Sequence, residues 1–288
     1  MSSRRTGKSP RVSARSGWSL QHRPRTSRRR GARGGGGENY STLSKGPLHS
    51  LIFLLPLIIA YEIGTRLYLN DPSMSSVQTI RAHSLLLAFF RDFGVAGRFL
   101  PAITVVAVLA VWHVINSDRT RIRPQVLPGM VLEGVLLTVP LIVFIGLMQL
   151  AFGTAAPSPA AAQMTQTLDP LAKLPWRAGL TISLGAGLYE EMLFRMVGVT
   201  VLHMICVDLA RMSEKVGTGL AVALCAAAFA AYHDVMGPGG HVDVLKAVSL
   251  AVAGLYFGLV FSVRGFGLAV GVHVLYDVYV LVLSRPAS

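Results

Sequence analysis

Charge is scarce in this chain and unevenly placed. Asp, Glu, Lys and Arg make up 14% of the 288 residues against 52% hydrophobic ones, and the mean hydropathy is +0.53. Soluble domains of this length carry roughly a quarter charged residues, so that class is excluded and a membrane protein is implied. Cysteine is scarce too. Cys206 and Cys225 are the two present, both lie in or beside apolar segments, and they suggest packing residues rather than a disulfide framework or a metal site. No internal repeat is visible, and no ordinary cleavable signal peptide is expected, because the first apolar run starts late and is too long. The His-Glu-x-x-His helix of ordinary zinc proteases is also missing.

What is present is a series of apolar runs long enough to cross about 30 Å of hydrocarbon, at 48–69, 98–116, 127–153, 178–207, 217–234, 244–263 and 266–284. The expected fold is all-α, a polytopic transmembrane helix bundle of about seven spans. Residues 81–93 hold Leu85, Leu86, Phe89, Phe90 and Phe93 but are broken by Arg81, Arg91 and Asp92, which suits an interfacial helix rather than a span. Residues 1–46 hold 12 Lys and Arg with the single acid Glu38. This segment lacks the apolar residues needed to fold, so it reads as a disordered basic tail ahead of a folded bundle at 47–285. The expected partners of such a tail are anionic lipid headgroups rather than nucleic acid. The positive-inside rule puts it in the cytoplasm, at the cell membrane, together with Arg119, Arg121, Arg123, Arg211, Lys215 and Arg264.

Against this apolar background stands Tyr189-Glu190-Glu191-Met192-Leu193-Phe194-Arg195. A charged side chain at the centre of a membrane helix costs about 3 kcal/mol on insertion scales, so three in one turn point to a site. Residues four apart share a helix face while adjacent ones diverge by about 100°, so Glu191 can pair with Arg195 while Glu190 projects elsewhere. A carboxylate left unpaired beside water is a candidate general base. Two later helices repeat the four-residue spacing, with Phe229 and His233 on one and His273 and Asp277 on the other. Little else in the C-terminal spans could satisfy these polar groups within lipid, so they are expected to converge on a hydrated cavity. Gly254/Gly258 and Gly267/Gly271 are two Gly-x-x-x-Gly pairs that would let backbones approach closely near His273.

Glu-Glu-x-x-x-Arg, then Phe-x-x-x-His, then His-x-x-x-Asp, in order on successive membrane helices, resembles the CPBP family of intramembrane proteases, also called the Abi or type II CAAX prenyl endopeptidase-like family. The resemblance covers about 176–284. It implies an endopeptidase that hydrolyses a peptide bond of a membrane-anchored protein or peptide, CAAX-type substrates included. By that resemblance Glu190 and His233 activate the attacking water, His273 and Asp277 face the developing oxyanion, and Glu191, Arg195 and Phe229 support the site. The family's prenyl endopeptidases carry Asn where this chain has Asp277. An ionised Asp cannot donate a hydrogen bond, so Asp277 either carries a proton itself or orients His273 and favours its imidazolium form.

Glu190, His233 and His273 would also make a zinc-like ligand set. A metal-free water held by glutamate and histidine explains the same residues, and no cofactor is the favoured reading. Two other functions fit parts of the pattern: a proton-coupled transporter, since intramembrane Glu, His and Asp serve proton relays, and a non-catalytic scaffold or immunity-type protein that retains the fold.

Overall fold

A computed structural model describes residues 39–69, 81–95, 97–115, 122–152, 175–236 and 240–284. The tail up to residue 38 and most of the loop 154–175 lie outside these residues. Within them the chain is helical, apart from one antiparallel bridge between Met236 and Val242. Among the described residues six helices are long and apolar enough to cross a bilayer, and the expected multi-pass helical bundle is the fold observed. They are α2 (Pro47–Tyr68), α5 (Val126–Phe152), α6 (Trp176–Leu209), α7 (Glu214–Tyr232), α8 (Val244–Arg264) and α9 (Phe266–Leu283). The remaining expected span forms α4 (Leu100–Ile115), which has 16 residues and reaches only about 24 Å.

The segment between α2 and α4 contains α3 (Arg81–Asp92), 12 residues that bury Ala82 and His83 and leave Leu85 and Phe89 exposed. That pattern suits a helix lying in the interface. His83 packs edge-on against Tyr61 at 5.8 Å and beside Tyr189 at 5.0 Å, and burial pushes its imidazole below the ordinary value. Residues 40–45, assigned by composition to the tail, form the short helix α1 (Tyr40–Lys45). Specific bonds override composition there. Arg264 donates to Ser41, Ser44 and Glu133, and Tyr40 donates to Glu133 at 2.7 Å. Burial and the neighbouring Glu133 carboxylate push the Tyr40 phenol up to about 12, so it remains a donor.

These contacts define one end of the bundle, where α1, the start of α5 and the end of α8 meet. The opposite end is marked by Arg177 over Tyr68 and by Arg81, whose Nη1 donates to the Tyr232 carbonyl at 2.8 Å. Between the two ends α6 is the central helix, with every residue from Ser183 to Met192 buried. All-round burial explains why this segment shows no apolar stripe.

Glycine permits the closest approaches. A Cβ on Gly187 would stand 2.4 Å from Val274 Cγ2 and 3.0 Å from the Val274 nitrogen, so α6 and α9 touch backbone to backbone there. The two Gly-x-x-x-Gly pairs serve separate interfaces. Gly254 and Gly258 admit Ala226 and Val222 of α7, whereas Gly267 and Gly271 admit Ser50 and Phe53 of α2. Replacing Gly187 by Val should cost at least the ~1–3 kcal/mol of an overpacked core. The expected outcome is a lower melting temperature and a lower yield of monodisperse protein in detergent, measured against wild type.

Candidate active site

The paired glutamates end the α-helical part of α6, and a π-helical segment, Met192–Val199, follows at once. Such a widened turn interrupts the regular ladder and recurs at functional sites. It carries Arg195, whose Nη1 stands 2.9 Å from Glu191 Oε1 while Nη2 donates to the Gly254 carbonyl at 3.0 Å. The guanidinium lies 4.5 Å from the Phe229 ring centroid and 5.4 Å from that of Phe257. Charge, hydrogen bond and aromatic faces together replace the water that a buried arginine gives up.

Glu191 does more than its spacing suggested. Its Oε1 also accepts from His273 Nδ1 at 2.7 Å. Because a carboxylate accepts, Nδ1 must carry the proton, and this bond fixes which ring nitrogen of His273 faces the cavity. Phe257 stacks on the same imidazole at 4.4 Å and 14°. Sequence reasoning missed Phe257 altogether. An apolar residue in an apolar span carries no chemical mark, and only its place between Gly254 and Gly258 hinted at a close contact.

His233 follows the last residue of α7. Its Nδ1 donates to the Phe229 carbonyl at 2.8 Å, and its ring lies 4.6 Å from that of Phe229. Nε2 is thereby turned toward Glu190, 3.6 Å from Oε2. From the other side His273 Nε2 stands 3.9 Å from the same oxygen. Asp277 Oδ2 is 3.6 Å from His273 Nε2, too far for a direct hydrogen bond. Glu190 Oε2 is buried and closes no hydrogen bond of its own.

All seven expected residues therefore gather in one place. The gathering has a simple geometric cause. By apolar length alone Glu190 sits near mid-membrane and His233 nearer a surface, but α6 is 34 residues long. The part of α6 beyond Glu190 matches α7, 19 residues, across a short turn, so α7 ends level with Glu190. The site opens on the side of His233 and Asp277, whose side chains are 27% and 19% exposed, against 7% for Glu190.

Two carboxylates and two imidazoles around one buried oxygen can hold and polarise a water. Among the described residues no group of three His, Cys, Asp or Glu side chains is disposed to hold a metal ion.

Residues 172–279 match the family model described as Type II CAAX prenyl endopeptidase Rce1-like. No curated protein and no solved structure matches the chain.

Substituting Glu191 by Gln should weaken the fold as well as the site, because Arg195 is left buried without its counter-charge, a loss of about 3–5 kcal/mol for a buried pair. A melting temperature equal to that of wild type in the same detergent would contradict this role.

Proposed function

We propose that the chain, whose residues 172–279 match the type II CAAX prenyl endopeptidase Rce1-like model, is an intramembrane endopeptidase of the CPBP family in which Glu190 and His233 activate the water that attacks a peptide bond. The multi-pass helical bundle and the family agree with a protease acting on membrane-associated protein. One observation carries the finer reading: Glu190 Oε2 is buried, unbonded, and faced by Nε2 of both His233 and His273 at 3.6 and 3.9 Å.

Those separations exceed hydrogen-bond range and suit one bridging water. His233 Nδ1 is committed to the Phe229 carbonyl, so the neutral ring offers Nε2 as an acceptor. A water between His233 and Glu190 can then donate to both and present its oxygen lone pair to a carbonyl carbon. Glu190 takes one proton from this water as the oxygen bonds to the carbonyl carbon, and the C=O π pair moves onto oxygen. His273, held by Glu191 at Nδ1 and beside Asp277 at Nε2, acts as an imidazolium, and its Nε2–H donates to that oxyanion. When the C–N bond breaks, its electron pair goes to nitrogen, and Glu190 returns the proton there. The products are a carboxylic acid and an amine.

The basic tail, on this reading, lies in the cytoplasm at the cell membrane and touches anionic headgroups. The His233 side of the site then faces the α3 end, away from the cytoplasm.

The test is cleavage of internally quenched peptides in proteoliposomes, one with a farnesylated cysteine followed by three C-terminal residues and one without the lipid. Wild type should cleave. Glu190→Gln keeps the shape of the side chain and removes the base, so cleavage should fall at least 1,000-fold, of the order lost with a catalytic base and the electrostatics around it, while the melting temperature stays put. A Glu190→Gln enzyme as fast as wild type would end the assignment.

A further inference from the structure

The turn that delivers His233 also delivers Tyr232, which the steps above do not use. Its ring is fixed from three directions. Phe194 stands edge-on at 5.3 Å, His233 edge-on at 5.0 Å, and the Arg81 guanidinium lies 5.4 Å from the ring centroid. Arg81 also binds the Tyr232 carbonyl at 2.8 Å, so α3 pins both backbone and ring. The phenolic oxygen is buried and closes no hydrogen bond, although the Glu190 carboxylate and the backbone of Ala82 lie beside it.

A buried phenol normally finds a partner, because leaving the hydroxyl unbonded forfeits its hydration. Ring packing alone would be met by phenylalanine. The hydroxyl is therefore the part of Tyr232 that packing does not account for, and it lies beside the carboxylate that would hold an attacking water. Across the cavity, Asp277 stands 3.6 Å from His273 Nε2. An ionised carboxylate accepts hydrogen bonds and cannot donate to an oxyanion, so that side lacks the donor an amide would supply. A donor on the Tyr232 side would make up for it.

Resting on the protease reading above, we propose that Tyr232 is a catalytic residue whose hydroxyl donates a hydrogen bond to the oxyanion formed when the Glu190-held water adds to the substrate carbonyl. No bond to Tyr232 is made or broken; the phenol keeps its proton throughout. In the resting site the hydroxyl waits beside Glu190. Once the carbonyl oxygen gains charge it becomes the stronger acceptor, and the nearby Arg81 guanidinium adds positive potential on the same side. A donor engaged only as charge develops raises kcat and leaves substrate binding nearly unchanged.

The experiment compares wild type, Tyr232→Phe, Asp277→Asn and the double variant on the same two quenched peptides, with Glu190→Gln as reference. Tyr232→Phe should lower kcat about 100-fold, the usual loss on removing one oxyanion donor, with KM within about threefold and an unchanged melting temperature. With Asn at 277 an amide donor is present, so the loss from Tyr232→Phe should shrink to about tenfold or less. Site-specific 3-fluorotyrosine at 232 retains the hydroxyl and should keep kcat near wild type, which separates loss of the donor from any disturbance of packing.

Wild-type kcat in Tyr232→Phe would overturn the assignment. So would a loss of equal size with Asp or Asn at 277, since that is the mark of a residue acting through Glu190. If Glu190→Gln cleaved as fast as wild type, the protease mechanism itself would fall, and Tyr232 with it. Loss in Glu190→Gln with no change in Tyr232→Phe removes the tyrosine alone.

Discussion

One carboxylate oxygen, Oε1 of Glu191, forms an ion pair with Arg195 on one side and accepts a hydrogen bond from His273 Nδ1 on the other. Both contacts lie in the packed interior of a membrane bundle, where each ion alone would be expensive and where water cannot substitute for a lost partner. The pair binds α6 to α9 directly and, through the Arg195 bond to the Gly254 carbonyl, to α8. It also decides which nitrogen of His273 faces the cavity. Stability and chemistry therefore share one group, and the two adjacent glutamates are not interchangeable. Glu191 is engaged through Oε1 by Arg195 and His273, whereas Glu190 presents Oε2 to His233 and His273 at 3.6 and 3.9 Å.

That division depends on backbone as much as on charge. The π-helical segment begins at Met192, directly after the glutamates, and the last of the three among the described residues, Tyr279–Leu283, begins two residues after Asp277, whereas Met204–Leu209 lies farther along α6. The first and the last of these widened turns border the two halves of the site. The long α6 and the shorter α7 then meet at the level of Glu190, which is why a histidine at the end of one helix reaches a carboxylate in the middle of another. Gly187, with Val274 against its backbone, brings α9 close enough for His273 to bond Glu191.

Much of this was legible in the residues because charge in an apolar span is conspicuous. Glu190, Glu191, Arg195, His233, His273 and Asp277 marked themselves by polarity and four-residue spacing, and they do converge. The Glu191–Arg195 pair followed from helix geometry. The Glu191 bond to His273 did not, since spacing within one helix says nothing about which residue a distant helix presents. Phe257 was invisible for the reason that makes it useful: an aromatic ring among apolar neighbours stacks on His273 without any chemical signature. The structured segment at Tyr40–Lys45 was hidden by its basic surroundings, because composition averages over a few residues that happen to meet Arg264 and Glu133. The depth of His233 could not be read from apolar length, which gives the extent of a span and not its level relative to a neighbour.

The central claim is that Glu190, and not Glu191, faces His233 across one shared space. Cysteine cross-linking in native membranes tests it without a substrate. Cys206 and Cys225 are replaced by Ala, a protease site is inserted in the turn near Arg211, and cysteines are placed at 190 and 233 or, as the comparison, at 191 and 233. A short bifunctional thiol reagent should join 190 to 233, so that the two fragments stay together after cleavage in the turn, and should leave 191 and 233 unlinked. Equal linkage of both pairs, or none at 190 and 233, would contradict it.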